Sequence, residues 1–494
     1  MPKIEEFQLH PYGWESDPQE ERFRLSTLDY LATTTWTNTA LFFKLNDDEK
    51  MLLLNHKATE ILKQGLERTL SQVRQFVGTI ERDEDGQHSI VRKRTSTVRL
   101  VVQHLDTPDD SFPAFEEIAK AYFLSPLLGD IDALSNLPMT CGNKPEAHPD
   151  NSPAITSYKV NNIRGGIIFN THDHHYANGL VGKVGFLKQL AENCYAIAKS
   201  TQLPSWDMNC LDRARFGIPG FDKPSSSKEQ QIEAPPRALK NTQHRPSQAL
   251  MFHLPKSKAQ ELKKAASPSD GSRISTFDAI VALMWRVQCR IREPIYKPGL
   301  DYKPLYAQGV SIAKLFKDVP ARLQGNLQID VSSTIFPNTE LTLAEIISDV
   351  PLSKLATYTR RMTDSVTQEM LTARLEQHAA VRNKHDLSIR VESFPPLALL
   401  VSDWRMADLC KMDYGFAEPS AWRHLFGGVP LCQSIVYPPH KGPAGDEEGL
   451  EVQFTFEHEL VPQLLKDPDW MGYFEFRGVD AWEEERPSDP KSKL

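Results

Sequence analysis

The sequence predicts an α/β protein in which strands and amphipathic helices alternate along the chain. Residues 39–44 and 97–105 are rich in apolar and β-branched side chains, which is the pattern of buried strands. Residues 55–77 place apolar side chains at three- and four-residue spacing, which predicts a helix with one buried face. With 494 residues, the chain is long enough for two or more domains and a large core.

A polar segment rich in proline and serine divides the chain at residues 222–248 and predicts a crossover linker. We therefore expect an N-terminal domain at 1–221 and a C-terminal domain at 249–483. A flexible polar tail is expected at 484–494.

The second half repeats the alternation of strands and helices. It opens with an apolar strand at 249–254, continues through a helical pattern around Trp285, and reaches an alternating strand at 450–456. Residues 437–449 are polar and contain several prolines and glycines, so they predict a loop.

The candidate site is the segment His172–Gly179, which reads His-Asp-His-His-Tyr-Ala-Asn-Gly. It follows the apolar run Gly165–Phe169, and apolar side chains at helical spacing begin at Leu180. A strand that delivers histidines to a turn holds them on a rigid support and leaves them reachable. The segment alone is compatible with a metal site, with a turn that has no chemistry, and with a general base.

A metal site is the least favoured of these three. A metallohydrolase pattern, His-x-His-x-Asp-His, needs Asp at 176 and His at 177, where Tyr176 and Ala177 stand. The six cysteines never form a C-x-x-C pair, and no second cluster has ligand spacing. We therefore predict no metal and no bound cofactor, and the turn and the general base stay as alternatives.

A second motif near the end of the chain favours the general base. Residues 401–419 contain Ser402, Trp404 and the run Asp413-Tyr414-Gly415. Together with the histidine segment, this block resembles the signature pair of the BAHD acyltransferases, H-x-x-x-D-G and D-F-G-W-G. Fungal members that act on secondary metabolites, of the trichothecene 3-O-acetyltransferase type, often have an S-x-W form of the second block.

Three further segments resemble family motifs and stand in the family's order. Leu25–Asp29 is similar to "L-S-x-x-D", Ile274–Arg286 is similar to "I-S-T-x-D-A-L-x-A-L-x-W-R", and Gly325-Asn326 is similar to "Y-x-G-N". The resemblance covers nearly the whole chain. It implies two similar chloramphenicol-acetyltransferase-like domains with a channel between them.

The resemblance also implies the site residues. His174 is the expected catalytic base, because only this histidine has Asn178-Gly179 at the matching offset. Asp413 is often named with the histidine in this family and is expected to hold the D-F-G loop away from the proton transfer. The expected supporting residues are Asn178, Gly179, Gly415, Ser402 and Trp404.

The chain departs from the family motifs at three positions. Asn178 stands where the family has Asp, which keeps the hydrogen-bonding shape but loses the charge that would hold the loop. Phe416 replaces Trp, and Ala417 replaces the second glycine of D-F-G-W-G, so this position is not expected to need a positive φ.

The residue types fit acyl transfer from a thioester to an alcohol. His174 can accept the hydroxyl proton and then return it to the leaving thiolate, and no enzyme nucleophile is needed. A complex that holds both substrates gains rate by bringing them together. Ser402 and Trp404 are candidate oxyanion donors by family position, and a strand-end cap and a packed aromatic are the alternative roles.

Composition and charge agree with an enzyme that acts on small molecules. The net charge of −8 argues against a nucleic-acid surface, and no apolar run approaches the 18 residues of a membrane span. The scattered cysteines indicate reduced thiols. We expect acyl-CoA as co-substrate, a small hydroxylated acceptor, and a monomer.

The C-terminal Ser492-Lys493-Leu494 matches a peroxisomal address and predicts recognition by an import receptor. Peroxisomes generate acetyl-CoA and longer acyl-CoA, so the donor can carry either an acetyl or a longer acyl group. Otherwise a cytoplasmic location is expected.

Two other functions stay open at this stage. One is a condensation-type acyltransferase, whose donor is attached to a carrier protein; that type usually has His where Asp173 stands. The other is a non-catalytic binder of acyl-CoA or a metabolite, which Asn178 and Ala417 would permit.

Overall fold

The computed structural model describes most of the chain as strands and helices arranged around three sheets. The described residues are 2–45, 51–107, 111–138, 140, 143–221, 231–234, 241–335, 340–348, 350–387, 394–429, 432–440 and 447–483. The predicted tail and most of the predicted linker lie outside these ranges.

The strands in the described ranges are short to medium in length. They are β1 Lys3–Leu9, β2 Glu20–Arg24, β3 Trp36–Lys44, β4 Thr79–Arg82, β5 His88–Lys93, β6 Val98–Leu105, β7 Thr156–Ile163, β8 Gly166–His174, β9 Ser247–Pro255, β10 Tyr306–Ser311, β11 Gln328–Ser332, β12 Leu399–Asp403, β13 Pro419–His424, β14 Gln433–His440, β15 Gly449–Glu457 and β16 Glu475–Trp482.

The α-helices range from one turn to 22 residues. They are α1 Thr27–Tyr30, α2 Met51–Gln72, α3 Phe115–Lys120, α4 Leu180–Lys199, α5 Lys256–Ala265, α6 Thr276–Tyr296, α7 Leu343–Ile347, α8 Leu352–Asp364, α9 Gln368–Ala379, α10 Val461–Leu464 and α11 Pro468–Met471.

Each half of the chain supplies one large mixed sheet. The first has the order β1-β6-β7-β8-β3-β13, and the second has the order β11-β10-β12-β14-β15-β9-β16. Strands β2, β5 and β4 form a small third sheet. Strand β13 comes from the second half of the sequence but pairs with β3, so the first sheet is completed by the other half of the chain.

The predicted elements correspond to strands and helices of the structure, with small changes at their ends. The helix predicted at 55–77 is α2 followed by a 3₁₀ turn at Arg74–Val77. Strand β9 begins at Ser247, inside the predicted linker, because Ser247 pairs with Glu457 of the longer β15. Part of the loop predicted at 437–449 is strand, since β14 extends to His440.

Strand β8 begins with apolar side chains and ends with polar ones, and its polar end carries the site. Its first part carries Ile167, Ile168 and Phe169, which are fully buried and anchor the strand in the core. Its later part, from Asn170 to His174, is polar but still buried. Buried polar side chains need hydrogen-bond partners, so this part of the sheet is built from cross-strand polar contacts.

Helix α4 covers the sheet next to α2, and the two helices approach closely at Gly65. A Cβ atom at Gly65 would lie 2.3 Å from Cys194 Sγ, so a glycine is needed where the helices meet. Leu62, Leu66 and Leu190 are fully buried in the surrounding core. This packing holds α4, whose first turn follows the histidine segment directly, against α2.

A buried ion pair of the first half lies near the site, and one of its members is bonded to the second half. Asp29 accepts hydrogen bonds from Arg213 Nη1 at 2.9 Å and Nη2 at 2.6 Å, and Asp29 has no exposed surface. The same carboxylate accepts from the backbone N–H of Ser26 at 2.7 Å, which caps α1. It also accepts from Asn326 Nδ2 of the second half at 3.0 Å.

We predict that Asp29→Asn destabilises the protein by about 3–5 kcal/mol, because it leaves the Arg213 guanidinium buried without its counter-charge. The measurement is the free energy of unfolding from urea denaturation. The matched control is Glu261→Gln in the exposed Lys258–Glu261 pair, which should change stability by less than about 1 kcal/mol. A loss at Asp29 as small as the control would show that this buried pair does not support the fold.

Candidate active site

The histidine segment lies where β8 ends and α4 begins. His174 is the last residue of β8 and pairs with Trp36 of β3. Residues 175–179 form the turn, and Gly179 is the N-terminal cap of α4. The structure therefore confirms the strand, turn and helix order on which the sequence interpretation rests.

Asn178 attaches this turn to the second half of the chain through neutral hydrogen bonds. Its Oδ1 accepts from the backbone N–H of Gly325 at 2.5 Å, and its Nδ2 donates to Gln324 Oε1 at 2.8 Å. The Gln324 amide in turn donates to the carbonyls of Gly182 and Arg322. The amide at 178 is therefore matched to an amide partner, and the missing carboxylate charge is not needed to hold the loop.

Two glycines make room for these contacts. A Cβ atom at Gly182 would lie 2.0 Å from Asn178 Oδ1, and a Cβ atom at Gly179 would lie 2.8 Å from Asn326 Oδ1. Neither position could carry a side chain without displacing the turn. Gly179 is thus a supporting residue through close approach, since its φ of −91° is open to any residue.

Asn326 links the histidine turn to the Asp29–Arg213 pair. Its Nδ2 donates both to Asp29 Oδ1 at 3.0 Å and to the carbonyl of His175 at 2.8 Å. Three segments singled out in the sequence, Leu25–Asp29, His172–Gly179 and Gly325-Asn326, therefore meet in one buried network.

His174 is completely buried, and both of its ring nitrogens have backbone partners. Nε2 donates to the carbonyl of Ala147 at 2.8 Å, and Nδ1 accepts from the N–H of Tyr176 at 3.1 Å. The rings of Trp36 and Tyr176 stand edge-on to the imidazole. Burial lowers the pKa of His174 to about 4, so the ring is neutral at pH 7.

His175 is partly buried, and its backbone is fixed at both ends. Its N–H donates to the carbonyl of Thr35 at 2.9 Å, and its own carbonyl accepts from Asn326. Ring atom Nδ1 has no hydrogen-bond partner. Burial is the main cause that lowers the pKa of His175 below its usual value, and the charge of Lys183 adds to it.

The remaining residues of the segment are buried in polar contacts on opposite faces of β8. His172 Nε2 lies 2.8 Å from Ser135 Oγ, and burial lowers the pKa of His172 to about 3. Asp173 points the other way, where its Oδ2 lies 3.1 Å from Lys183 Nζ of α4. Lys183 also donates to the carbonyl of Thr37. These contacts are structural, and they account for two of the four residues His172–His175.

Ser402 and Trp404 lie at the end of β12 and contact each other. The indole N–H of Trp404 donates to Ser402 Oγ at 3.2 Å. The Trp404 ring stands perpendicular to the imidazole of His424, with 4.3 Å between the ring centroids. His424 is buried, its Nδ1 lies 3.1 Å from Tyr437 Oη, and its Nε2 has no partner.

The structure does not bring Asp413 to the histidines. Gly415 has a φ of +81°, and a Cβ atom there would lie 2.8 Å from Tyr195 Cα near the C-terminal end of α4. The histidine turn is at the other end of this helix, roughly 20 Å away along its axis. The exposed Asp413 accepts from the N–H of Gly415 at 2.7 Å, and this contact shapes the Asp-Tyr-Gly turn.

Several residues of the site were not identified from the sequence. They are Gln324, Arg213, Lys183 and His424, and each is buried and bonded within the site region. Gln324 directly precedes the Gly325-Asn326 motif, which is the one signal that could have indicated it. Arg213, Lys183 and His424 are not part of any sequence motif, and only their tertiary contacts show that they belong to the site region.

A metal centre finds no support in the part of the chain that the structure describes. No group of three or more histidine, cysteine or acidic side chains there is arranged to hold a metal ion. No helix in the described ranges is both long and apolar enough to span a bilayer.

Family models match both halves of the chain. The model of the trichothecene 3-O-acetyltransferase-like N-terminal domain matches residues 35–194, and the model of the Transferase family matches residues 127–460. The second match alone spans more than half of the chain and includes the histidine segment and the Asp413 motif.

Curated relatives agree with these matches. The chain is 46% identical to acetyltransferase FGR3 of Gibberella zeae over 97% of this chain and 95% of that protein. It is 23% identical to trichothecene 3-O-acetyltransferase TRI101 of Fusarium sporotrichioides over 77% of this chain and 81% of that protein.

Solved structures share the fold. The TRI101 structure from F. graminearum, complexed with coenzyme A and T-2 mycotoxin, superposes with a TM-score of 0.72 at 20% identity, over 93% of this chain and all of that chain. Vinorine synthase superposes with a TM-score of 0.66 at 16% identity, over 97% of this chain and 99% of that chain. The fold predicted from the motif resemblance is thereby confirmed.

We predict that Asn178→Asp, which restores the family's usual residue, lowers stability at pH 7 by about 1–3 kcal/mol. The new oxygen would face Gln324 Oε1, and two acceptors cannot bond unless one of them is protonated or rotates. Because burial raises the pKa of such a carboxyl, the loss should shrink as the pH is lowered towards 5. Urea denaturation at pH 7 and pH 5 measures this change.

The control for this prediction is Asn151→Asp, which removes an exposed Nδ2 donor to the carbonyl of Pro145. Water can replace that contact, so the cost should stay below about 1 kcal/mol. An Asn178→Asp protein that is more stable than the parent would contradict the amide match described above.

Proposed function

The chain belongs to the Transferase family of BAHD-type acyltransferases, and we propose that it moves an acyl group from a CoA thioester to a hydroxyl group of a fungal metabolite. The observation that carries this proposal is the buried network in which Asn178 and Asn326 hold the histidine turn against the second half of the chain. The similarity to an acetyltransferase over nearly the full length supports it.

The proposed reaction needs one base and no covalent intermediate on the enzyme. A histidine of the pair His174 and His175 takes the proton of the acceptor hydroxyl as its oxygen attacks the thioester carbonyl carbon. The tetrahedral intermediate collapses, the carbon–sulfur bond breaks, and the same proton passes to the thiolate. His174 is the member predicted from the motif offset, and this assignment stays a prediction.

The best candidate to stabilise the oxyanion is the Ser402 hydroxyl. The indole N–H of Trp404 already donates to Ser402 Oγ, so the serine hydroxyl is the member of this pair that can donate onward. Asp413, at the far end of α4, would support the fold of its turn and not the chemistry.

The donor and acceptor classes follow from the relatives and from the reaction type. One F. graminearum TRI101 structure contains coenzyme A and deoxynivalenol. For this chain we propose acetyl-CoA or a longer acyl-CoA as donor and a small hydroxylated metabolite as acceptor. A monomer is expected, since both halves of the site come from one chain.

We predict that the purified protein releases free thiol from acetyl-, hexanoyl- or palmitoyl-CoA only when an acceptor is present. Deoxynivalenol and extracts of fungal metabolites would serve as acceptor probes, and thiol release would be followed by absorbance after reaction with a disulfide reagent. The double variant His174→Ala/His175→Ala should lose about 10²- to 10⁴-fold in kcat. A double variant with full activity would exclude the histidine base.

The same assay separates the alternatives. CoA binding without thiol release in any acceptor mixture would indicate a non-catalytic binder, and turnover only from a carrier-protein thioester would indicate the condensation type.

Because burial lowers the pKa of both histidines, activity should be constant around pH 7 and should fall only as the pH drops below about 6.5.

The peroxisomal location predicted from Ser492-Lys493-Leu494 stays a prediction. A fluorescent fusion that keeps these three residues at its C-terminus should concentrate in peroxisomes, because an import receptor reads the free terminal tripeptide. A fusion truncated by these residues should be diffuse. Diffuse signal from both fusions would contradict the prediction.

A further inference from the structure

A short surface segment covers the Nε2 edge of the expected base, His174. This segment, residues 143–152, contains two short 3₁₀ turns and is called the strap below. Within the strap only Ala147 and Pro149 are buried, and the other eight residues are exposed or half-buried. The strap is therefore a single layer of chain, with its inner edge against the base and its outer edge in solvent.

The contact between the strap and His174 holds the ring in a form that cannot accept a proton at Nε2. The carbonyl of Ala147 lies 2.8 Å from Nε2 and can only accept, so Nε2 carries the ring hydrogen. The N–H of Tyr176 donates to Nδ1 at 3.1 Å and occupies the remaining lone pair. A general base needs a lone pair that the substrate can reach. The structure therefore shows a closed form of the site, in which the base is covered and both of its nitrogens are engaged.

Of the two ring nitrogens, Nε2 is the one that a movement of the chain can expose. The partner of Nδ1 is the backbone of the histidine turn, which Asn178 and Asn326 hold against the second half. The partner of Nε2 belongs to the strap, whose outer edge faces solvent. Displacement of the strap would therefore open Nε2 while the turn and its buried network stay in place.

One carboxylate near the C-terminal end of the strap fastens it to the small third sheet. Asp150 accepts from Arg82 Nη2 at 2.6 Å, and its Oδ1 lies 2.9 Å from His88 Nε2. Arg82 of β4 and His88 of β5 are paired in that sheet. Burial acts to raise the pKa of Asp150, but the hydrogen bonds from His88 and Arg82 outweigh it and lower the pKa to about 2. The carboxylate is ionised at pH 7, so an ionic contact fastens this end of the strap.

The last residue of the strap has a strained backbone. Ser152 has a φ of +49° and a ψ of +49°, which is the left-handed conformation that disfavours residues with a Cβ atom. On its outer side the strap contacts the second half through the rings of His148 and His385, whose centroids are 4.9 Å apart. A strained joint next to a partly exposed ion pair is the construction expected of a segment that opens while the sheets stay folded.

We propose that the strap closes the acceptor site, and that the acceptor hydroxyl takes the place of the Ala147 carbonyl at Nε2 of His174. This role rests on the proposed acyl transfer and specifies where the acceptor binds.

Opening of the strap converts the ring of His174 into a base. Water reaches the ring, which turns away from the Tyr176 N–H and exchanges its hydrogen from Nε2 to Nδ1, so that Nε2 gains a lone pair. Nε2 then takes the hydroxyl proton as the acceptor oxygen bonds to the thioester carbon. It gives this proton to the sulfur when the carbon–sulfur bond breaks, and the products are the ester and the free CoA thiol.

Chemical labelling measures the opening of the strap without a known acceptor. Diethyl pyrocarbonate acylates neutral, accessible imidazole nitrogens, and tandem mass spectrometry locates the label within the tryptic peptide 165–183. His172 in this peptide is as buried as His174 but contacts Ser135, outside the strap, so it reports general unfolding. Asp150→Ala should increase the labelling rate of His174 relative to that of His172 by at least about fivefold. An unchanged ratio of the two rates would overturn the proposal.

A second variant should act in the opposite direction. Ser152→Gly relieves the strained joint of the closed form, because glycine adopts a positive φ freely, so labelling of His174 should slow by about two- to fivefold. The matched control is Glu20→Ala, which breaks an exposed ion pair with Arg22 in the same small sheet and should change neither rate. Faster labelling of His174 in Ser152→Gly would overturn a strap that closes through this joint.

Steady-state kinetics test whether the strap controls the acceptor in particular. Because the acceptor binds only to the open form, Asp150→Ala should raise kcat/KM for the acceptor by about two- to tenfold and leave KM for acetyl-CoA unchanged. A carboxylate that only stabilises the fold would instead lower kcat or change both KM values, and that result would overturn the proposal.

The proposed function and the role of the strap fail in distinguishable ways. If no acceptor mixture gives thiol release, the proposed acyl transfer is wrong, and the labelling of His174 in the two variants still tests whether the strap opens. If the protein releases thiol while Asp150→Ala changes neither the labelling ratio nor kcat/KM for the acceptor, the strap proposal is overturned and acyl transfer stands.

Discussion

The contacts of Asn178 and Asn326 across the two halves of the chain determine the geometry of the whole site. Asn178 accepts from the N–H of Gly325, and Asn326 donates to both Asp29 and the carbonyl of His175. The histidine turn is therefore held by backbone and side-chain groups that lie more than 140 residues away in sequence. A site of this kind forms only when both halves are docked, because its supporting bonds come from both of them.

The neutral character of these contacts has an energetic advantage at a buried position. A carboxylate at 178 would have to be removed from water, and only a well-placed cation would offset that cost. Here Gln324 supplies a neutral acceptor for the Asn178 amide, and Gly182 leaves space for it. An ionic contact lies next to these amides, at Asp29 and Arg213, where the carboxylate also accepts from backbone and amide groups.

The elements of the fold could be predicted from the sequence because their apolar periodicity is strong. Strand β15, with buried residues on both faces, and helix α6, with Ser275 at its cap, both follow directly from their residue patterns. The place of β13 could not be predicted in this way. Its sequence is that of an ordinary strand, and only its pairing with β3 shows that it completes the sheet of the other half.

The sequence indicates which segment forms the site, but it does not indicate the hydrogen bonds that the atoms of this segment make. The family resemblance identified His172–Gly179 and Gly325-Asn326 as separate motifs, and the structure shows that they contact each other. Spacing carries no information about which carbonyl or N–H faces a ring nitrogen, so the saturation of His174 by Ala147 and Tyr176 had no sequence signal. The sequence also does not identify Gln324 as the partner of Asn178, because a glutamine next to a glycine is common in loops of many kinds.

The end of a strand is the place where an offset of one residue has the largest chemical effect. Within β8, alternation sends His172 and His174 to one face and Asp173 to the other, and the hydrogen bonds of the sheet enforce this. His175 is the first residue after β8, and its backbone is held by Thr35 and Asn326 instead of by the strand ladder. The motif distance to the helix therefore identifies a histidine, His174, whose two ring nitrogens are both bonded to backbone groups. Because a proton can be transferred only to a nitrogen with an unused lone pair, His174 can act as a base only when the acceptor hydroxyl replaces one of these two backbone partners.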